Sequence, residues 1–255
     1  MQVPLTIEWD PLEPECALAL VDVSVDGRTY PFVLDTGARR STIISDEWTR
    51  SLPRVGSEMD TGVFESRLNE LVHVPRVAVG PIVANDVVMS LTDPDDADAD
   101  SLLGMDVLGS RALRLDLAGA SLEVVETLAD GRPLDRDQAG HCFVTVTFGE
   151  VTGRACIDTG AAMTVVSRSF FDSHPRLFSA ARTSVGQGNG GIAVETPTYR
   201  IDGYAVSDTG FGPHVVAVVD LPPQAADTDL ILGFPTLSQA TWTFDFVANL
   251  WTVHS

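Results

Sequence analysis

The chain has 255 residues, 44% hydrophobic and 20% charged, ordinary for a soluble globular protein and enough for one large domain or two lobes. No apolar run approaches the ~18 to 20 residues of a membrane span, so no membrane partner is expected. A net charge of −20 repels phosphate and makes nucleic acid a poor partner, and all 16 basic residues are arginine, which removes Schiff-base and P-loop lysines.

At the N-terminus, MQVPLTIEWDPLEPEC lacks a basic segment followed by an apolar one, so a cytoplasmic location is the expectation. Three cysteines (Cys16, Cys142, Cys156) have no metal-ligand spacing and an odd count, and read as reduced core residues. Next, ALALVDVSVDGRTYPFVL predicts strands, and FVLDTGARRSTI (32–43) carries an apolar run into an Asp-Thr-Gly-Ala turn before a hydroxyl residue leads back into β-branched residues. SDEWTRSL predicts a short helix with Ser45 as N-cap. VHVPRVAVGPIVANDVVMSL returns to strands. DPDDADAD (93–100) could offer Asp96, Asp98 and Asp100 to calcium, but it lacks the glycine and distal glutamate of a calcium loop and reads as a solvated loop. No metal is expected.

DSLLGMDVL (100–108) leads into LRLDLAGASLEVV (113–125), whose alternation about Ala118-Gly119 predicts a hairpin. ETLADGRPLDRDQAG is polar and aperiodic, which reads as a linker over 126–140 between an N-terminal lobe (1–125) and a C-terminal lobe (141–255). The chain then repeats itself. ACIDTGAAMTVV (155–166) restates the first turn, with Asp158 and Asp35 offset by 158 − 35 = 123. DLILGFPTL restates DSLLGMDVL at 233 − 104 = 129, and WTFDFVANLWTVH restates the hairpin at the same offset. A second short helix is expected near Ser169.

Asp-Thr-Gly occurs four times, at Asp35, Asp60, Asp158 and Asp208. The copies at Asp60 and Asp208 lack the alanine and hydroxyl residue that follow, and read as turns. Asp35 and Asp158 each end an apolar strand that would carry the carboxylate inward, where one alone is costly and two can share a proton.

The duplicated FVLDTGA with LLG, and CIDTGA with ILG, resemble aspartic proteases of the retropepsin/pepsin type, as a retropepsin-like pair joined in one polypeptide. The resemblance runs from about Cys16 to Val253. It implies an all-β, two-lobed acid-protease fold with few short helices, and an aspartic endopeptidase in which Asp35 and Asp158 activate a water against a peptide or protein substrate, without a cofactor. It also implies supporting roles for Thr36, Gly37 and Ala38 and for Thr159, Gly160 and Ala161. Ala38 and Ala161 offer no hydroxyl to an ionised carboxylate, which predicts a less acidic pH optimum than serine there would give. Two lobes in one chain make a second copy unnecessary, so a monomer suffices. Flap hairpins are expected at 54–66, with Phe64 its aromatic residue, and at 184–194, with Gly186, Gly188, Gly190 and Gly191 at or near the tip.

Competing motifs lack their context. Gly186-x-Gly188-x-x-Gly191 has the letters of a dinucleotide fingerprint, but IAVETPTYRI follows where that fingerprint needs a helix. There is no His-Glu-x-x-His and no Gly-x-Ser-x-Gly. The alternative from another class is a noncatalytic peptide- or protein-binding module on the same fold.

Overall fold

A computed structural model describes residues 1–255 except 62–65, 95–99 and 188–192, with side chains not described over 60–67 and 181–195. The fold is mostly β with few short helices, in a two-lobed, pepsin-like arrangement. Three sheets build it. The first half forms one sheet from strands between Thr6–Trp9 and Leu102–Leu103, the second half forms another between Asp135–Arg136 and Leu230–Leu232, and the third is shared.

The shared sheet runs in the order Gln2–Pro4, Ser121–Val125, Ala112–Asp116, Thr241–Asp245, Leu250–His254, Arg132–Pro133. Both expected hairpins are there: Ala112 pairs with Val125 through to Asp116 with Ser121, and Thr241 with His254 through to Asp245 with Leu250. They meet edge to edge through Ala112–Asp245 and Leu115–Trp242. Trp242, fully buried, packs between Phe211, Phe244 and Trp251 at centroid distances of 5.6, 5.8 and 6.0 Å, so one continuous apolar core crosses the midline. The segment 126–140 carries two short strands, Arg132–Pro133 against Trp251 and Leu250, and Asp135–Arg136 against Phe143 and Cys142.

Within each half the strand before the Asp turn runs parallel to the Leu-Gly segment, Val33–Leu34 beside Leu102–Leu103 and Ala155–Ile157 beside Leu230–Leu232. The strand after the turn returns along the other side of the same segment, pairing Thr42 with Leu102 and Val165 with Ile231. The Leu-Gly segment is therefore threaded between the two arms of each Asp turn. The three cysteines are buried and free.

The helix expected from Ser45 is absent. Asp46 rather than Ser45 caps this segment, accepting from Thr49 N–H at 2.7 Å, and only a 3-10 turn at Thr49–Ser51 forms. Leu52 precedes Pro53, which forces it extended (ψ 148°) and stops the turn. The second expected helix is Arg168–Ser173, capped by Ser167, whose Oγ accepts from Phe170 N–H at 3.2 Å. Two further helices, Met105–Leu108 and Phe234–Leu237, follow the Leu-Gly segments and are too short for periodicity to announce. IAVETPTYRI lies mostly in the strand Ala193–Ile201, not a helix.

Candidate active site

The two Asp turns meet at the midline. Each aspartate ends a buried strand and is held by its partner segment, Asp35 N–H donating to Leu103 O at 3.0 Å and Asp158 N–H to Leu232 O at 3.1 Å. Asp35 Oδ1 accepts from the N–H groups of Gly37 (2.8 Å) and Ala38 (2.9 Å), and Asp158 Oδ1 from Gly160 N–H at 2.9 Å. The carboxyls face each other across the midline, each lying against the glycine of the opposite turn. Burial pushes both above the ordinary carboxylate value. Asp35, 9% exposed, rises well above it because the charge of Asp158 adds to its burial, while the rise at Asp158 is opposed by the Gly160 amide. The two therefore titrate as one coupled pair that holds a proton between its members.

Beneath them, Thr36 and Thr159 exchange two bonds and donate two more across the midline. Thr36 N–H donates to Thr159 Oγ1 (3.0 Å) and Thr159 N–H to Thr36 Oγ1 (3.1 Å); the hydroxyls donate onward to Ile157 O (3.0 Å) and Leu34 O (2.6 Å). Both threonines are buried, so each bond replaces a desolvated, unpaired group. Gly37 and Gly160 permit this approach. A Cβ on Gly37 would stand 2.5 Å from Asp158 Cγ, and one on Gly160 would overlap the Asp35 carboxyl. Ala38 O and Ala161 O accept from Met105 N–H (2.8 Å) and Phe234 N–H (2.9 Å), tying each turn to its threaded segment.

A further layer went unassigned in the sequence, although its signal was the hydroxyl residue after each turn. Ser41 Oγ accepts from Gly104 N–H at 2.9 Å and donates to Asp106 Oδ1 at 2.6 Å. Its counterpart Thr164 accepts from Gly233 N–H at 3.2 Å and bonds Thr236 Oγ1 at 2.8 Å. From Thr236 the second-half network continues to Tyr204 (2.6 Å) and to His214 Nε2 (3.2 Å).

Both segments expected to be flaps are hairpin arms, Arg54–Thr61 against Ser66–Val79 and Phe178–Gln187 against Ala193–Ile201. Gly186 lies on an arm opposite Val194. Phe64, Gly188, Gly190 and Gly191 fall outside the described residues. Asp208 occupies the tight turn between Val206 and Thr209 and pairs with Arg132 at 2.7 Å, while Asp60 lies in the strand Arg54–Thr61. Among the described residues no three His, Cys, Asp or Glu side chains form a metal-binding group.

Residues 21–110 match the gag-polyprotein aspartyl protease family model, and residues 144–236 match the aspartyl protease family model. The chain belongs to the retropepsin-like aspartyl-protease family. Each match encloses one Asp-Thr-Gly-Ala turn together with its Leu-Gly segment. No curated protein matches. Among solved structures, this retropepsin-like chain is similar to conglutin gamma, a basic 7S globulin from lupine seeds (14% identity, TM-score 0.58, covering 100% of this chain and 95% of that one). It is also similar to the basic 7S globulin from soybean (11% identity, TM-score 0.60, covering 99% and 94%). At these identities the likeness is one of fold.

Proposed function

We propose that the chain is an aspartic endopeptidase that hydrolyses peptide bonds in a peptide or protein substrate, with Asp35 and Asp158 acting together on a water. One observation carries the reading: carboxyls from opposite halves meet at the midline, each packed against the glycine of the other turn, and desolvation raises the pKa of both. Such a pair holds one proton between its members over a pH range where isolated carboxyls would both be ionised.

Asp158, ionised, takes a proton from the water as its oxygen attacks the scissile carbonyl carbon. Asp35 gives its proton to the carbonyl oxygen, so the tetrahedral intermediate forms without a free oxyanion. The proton gained by Asp158 passes to the leaving nitrogen as the C–N bond breaks, and Asp35 recovers a proton from the diol, restoring the starting state. The Gly37, Ala38 and Gly160 amides and the threonine bonds keep the carboxyls from turning away.

The test is digestion of a mixed peptide library from acid to neutral pH, with and without a statine-type inhibitor, using Asp35→Asn and Asp158→Asn as controls. Cleavage that the inhibitor and both variants abolish supports the proposal. Peptide binding by the wild-type protein without any cleavage would instead make it a binding module on the same fold.

A further inference from the structure

The two turns are near-equivalents about the midline, yet the residues that follow them differ in charge. Positions 39 and 40 correspond at the 123-residue offset to 162 and 163; the first pair is Arg39-Arg40 and the second Ala162-Met163. Ala38, immediately before, is fixed at the site by its N–H on Asp35 and its carbonyl on Met105 N–H, so Arg39 leaves the backbone beside the carboxyl pair.

The two arginines are unequally engaged. Arg40 is half-buried, places Nε and Nη2 on Glu58 Oε2 at 2.9 Å each, and donates Nη1 to Val88 O at 3.0 Å. Arg39 is 54% exposed and reaches Glu58 through Nη2 alone, its one partner among the described residues. Asp106, the other acid beside Arg40, spends its Oδ1 on Ser41 and is pushed up by burial. Among the described residues two guanidiniums thus share Glu58, an excess of positive charge on one flank of the pair in a chain of net charge −20. Glu58 lies on the hairpin strand Arg54–Thr61, so the cation sits between that hairpin and the Asp35 turn.

We infer that Arg39 selects peptides bearing an acidic side chain on one particular side of the scissile bond. This rests on the proposed peptidase reading. A guanidinium with free donors grips a carboxylate through paired, charge-assisted bonds, which a neutral amide matches poorly. Ala162 and Met163 offer the opposite flank no such bond, so the acidic residue also sets the direction in which a peptide lies across two otherwise similar turns.

The experiment uses matched peptides carrying Glu or Gln at each position around the centre in turn. It reads kcat/KM with the wild-type protein and Kd with Asp35→Asn. Glu is expected to win over Gln by about tenfold or more at a position on one side only, the value of a charge-assisted bond. In Arg39→Gln the Glu/Gln ratio collapses toward one, and in Arg39→Glu it passes to Lys-bearing peptides. Because each figure is a ratio within one protein, a general loss of activity or fold does not imitate it. A Glu/Gln ratio near one in the wild type, or one that survives Arg39→Gln, overturns the inference. Absence of all cleavage defeats the peptidase reading instead, and the Kd ratios still judge Arg39.

Discussion

Gly37 lies against the Asp158 carboxyl so closely that a Cβ at residue 37 would stand 2.5 Å from Asp158 Cγ and 2.6 Å from Oδ2. The methyl of Gly37→Ala must push the carboxyl out of line with Asp35 or part the two halves. Peptide cleavage is expected to fall by about a hundredfold or more, as for other small misplacements of reacting groups. Gly27→Ala is a useful comparison, since nothing lies within 4 Å of a Cβ there, although its φ of +83° adds local strain. Comparable rates in Gly37→Ala and wild type would contradict this account.

Thr159→Val keeps the shape of the side chain but removes the acceptor of Thr36 N–H and the donor to Leu34 O, both buried. Leaving such groups unpaired costs about 1–3 kcal/mol each. Thr159→Ser, which keeps the hydroxyl, should recover most of the loss. Thermal melts of the three proteins check this, with roughly 2–4 °C expected per kcal/mol for a chain of this size.

The raised carboxyls set two pH dependences. Protonation is easier in the folded state than in the unfolded one, so the pair's contribution to stability is complete below the unfolded carboxylate value and is lost as pH rises through the folded values. Asp35→Asn removes part of that cost, and its Tm should exceed the wild-type value at neutral pH while the two converge in acid. In catalysis, the singly protonated form extends above the ordinary carboxylate range, so the rate maximum lies at less acidic pH than carboxyls near ~3.9 would give. A pH-rate profile peaking below about pH 3 would count against it.

His214 acts with the opposite sign. It is 2% exposed, its Nδ1–H donates to Gly212 O at 2.9 Å, and its Nε2 lies 3.2 Å from the Thr236 hydroxyl, contacts that the neutral ring satisfies. Burial lowers its pKa; the Gly212 carbonyl and Glu15 oppose that, Arg200 reinforces it, and Tyr204 stands edge-on at 5.7 Å. On acidification the unfolded chain takes this proton first. Stability therefore falls as pH drops below ~6.5 and levels off below the folded value. His214→Gln should flatten that slope in melts of the Asp35→Asn background, and an unchanged slope would exclude His214 as its source.

Much of the site was legible because it is duplicated. Asp35 and Asp158 with their Thr, Gly and Ala neighbours repeat as local strings, and the alternation of 113–125 and 242–254 marks two hairpins whatever surrounds them. The joining of those hairpins through Leu115 and Trp242 was not legible, since it pairs residues 127 positions apart (242 − 115) and neither string encodes the other. Asp106 escaped notice for a similar reason: its partner Ser41 is brought to it only by the threading of the Leu-Gly segment. At Ser45 the expected cap fails, since Asp46 takes that role, and Pro53 ends the segment after a single 3-10 turn, before a helix can close. Trp9, 57% exposed, meets Phe234 edge-on at 5.3 Å, a contact from one half to the other that neither local string encodes.

Ala112–Asp116 and Thr241–Asp245 are neighbours at the centre of the shared sheet, so neither half of the chain owns a finished border there. Severed from its companion, each would present a bare ladder whose readiest complement is another copy of itself. The intact polypeptide is in effect a tethered couple of unlike members. That tether lets the two turns diverge, into Arg39-Arg40 after one and Ala162-Met163 after the other, as a strictly symmetric pair of identical chains cannot.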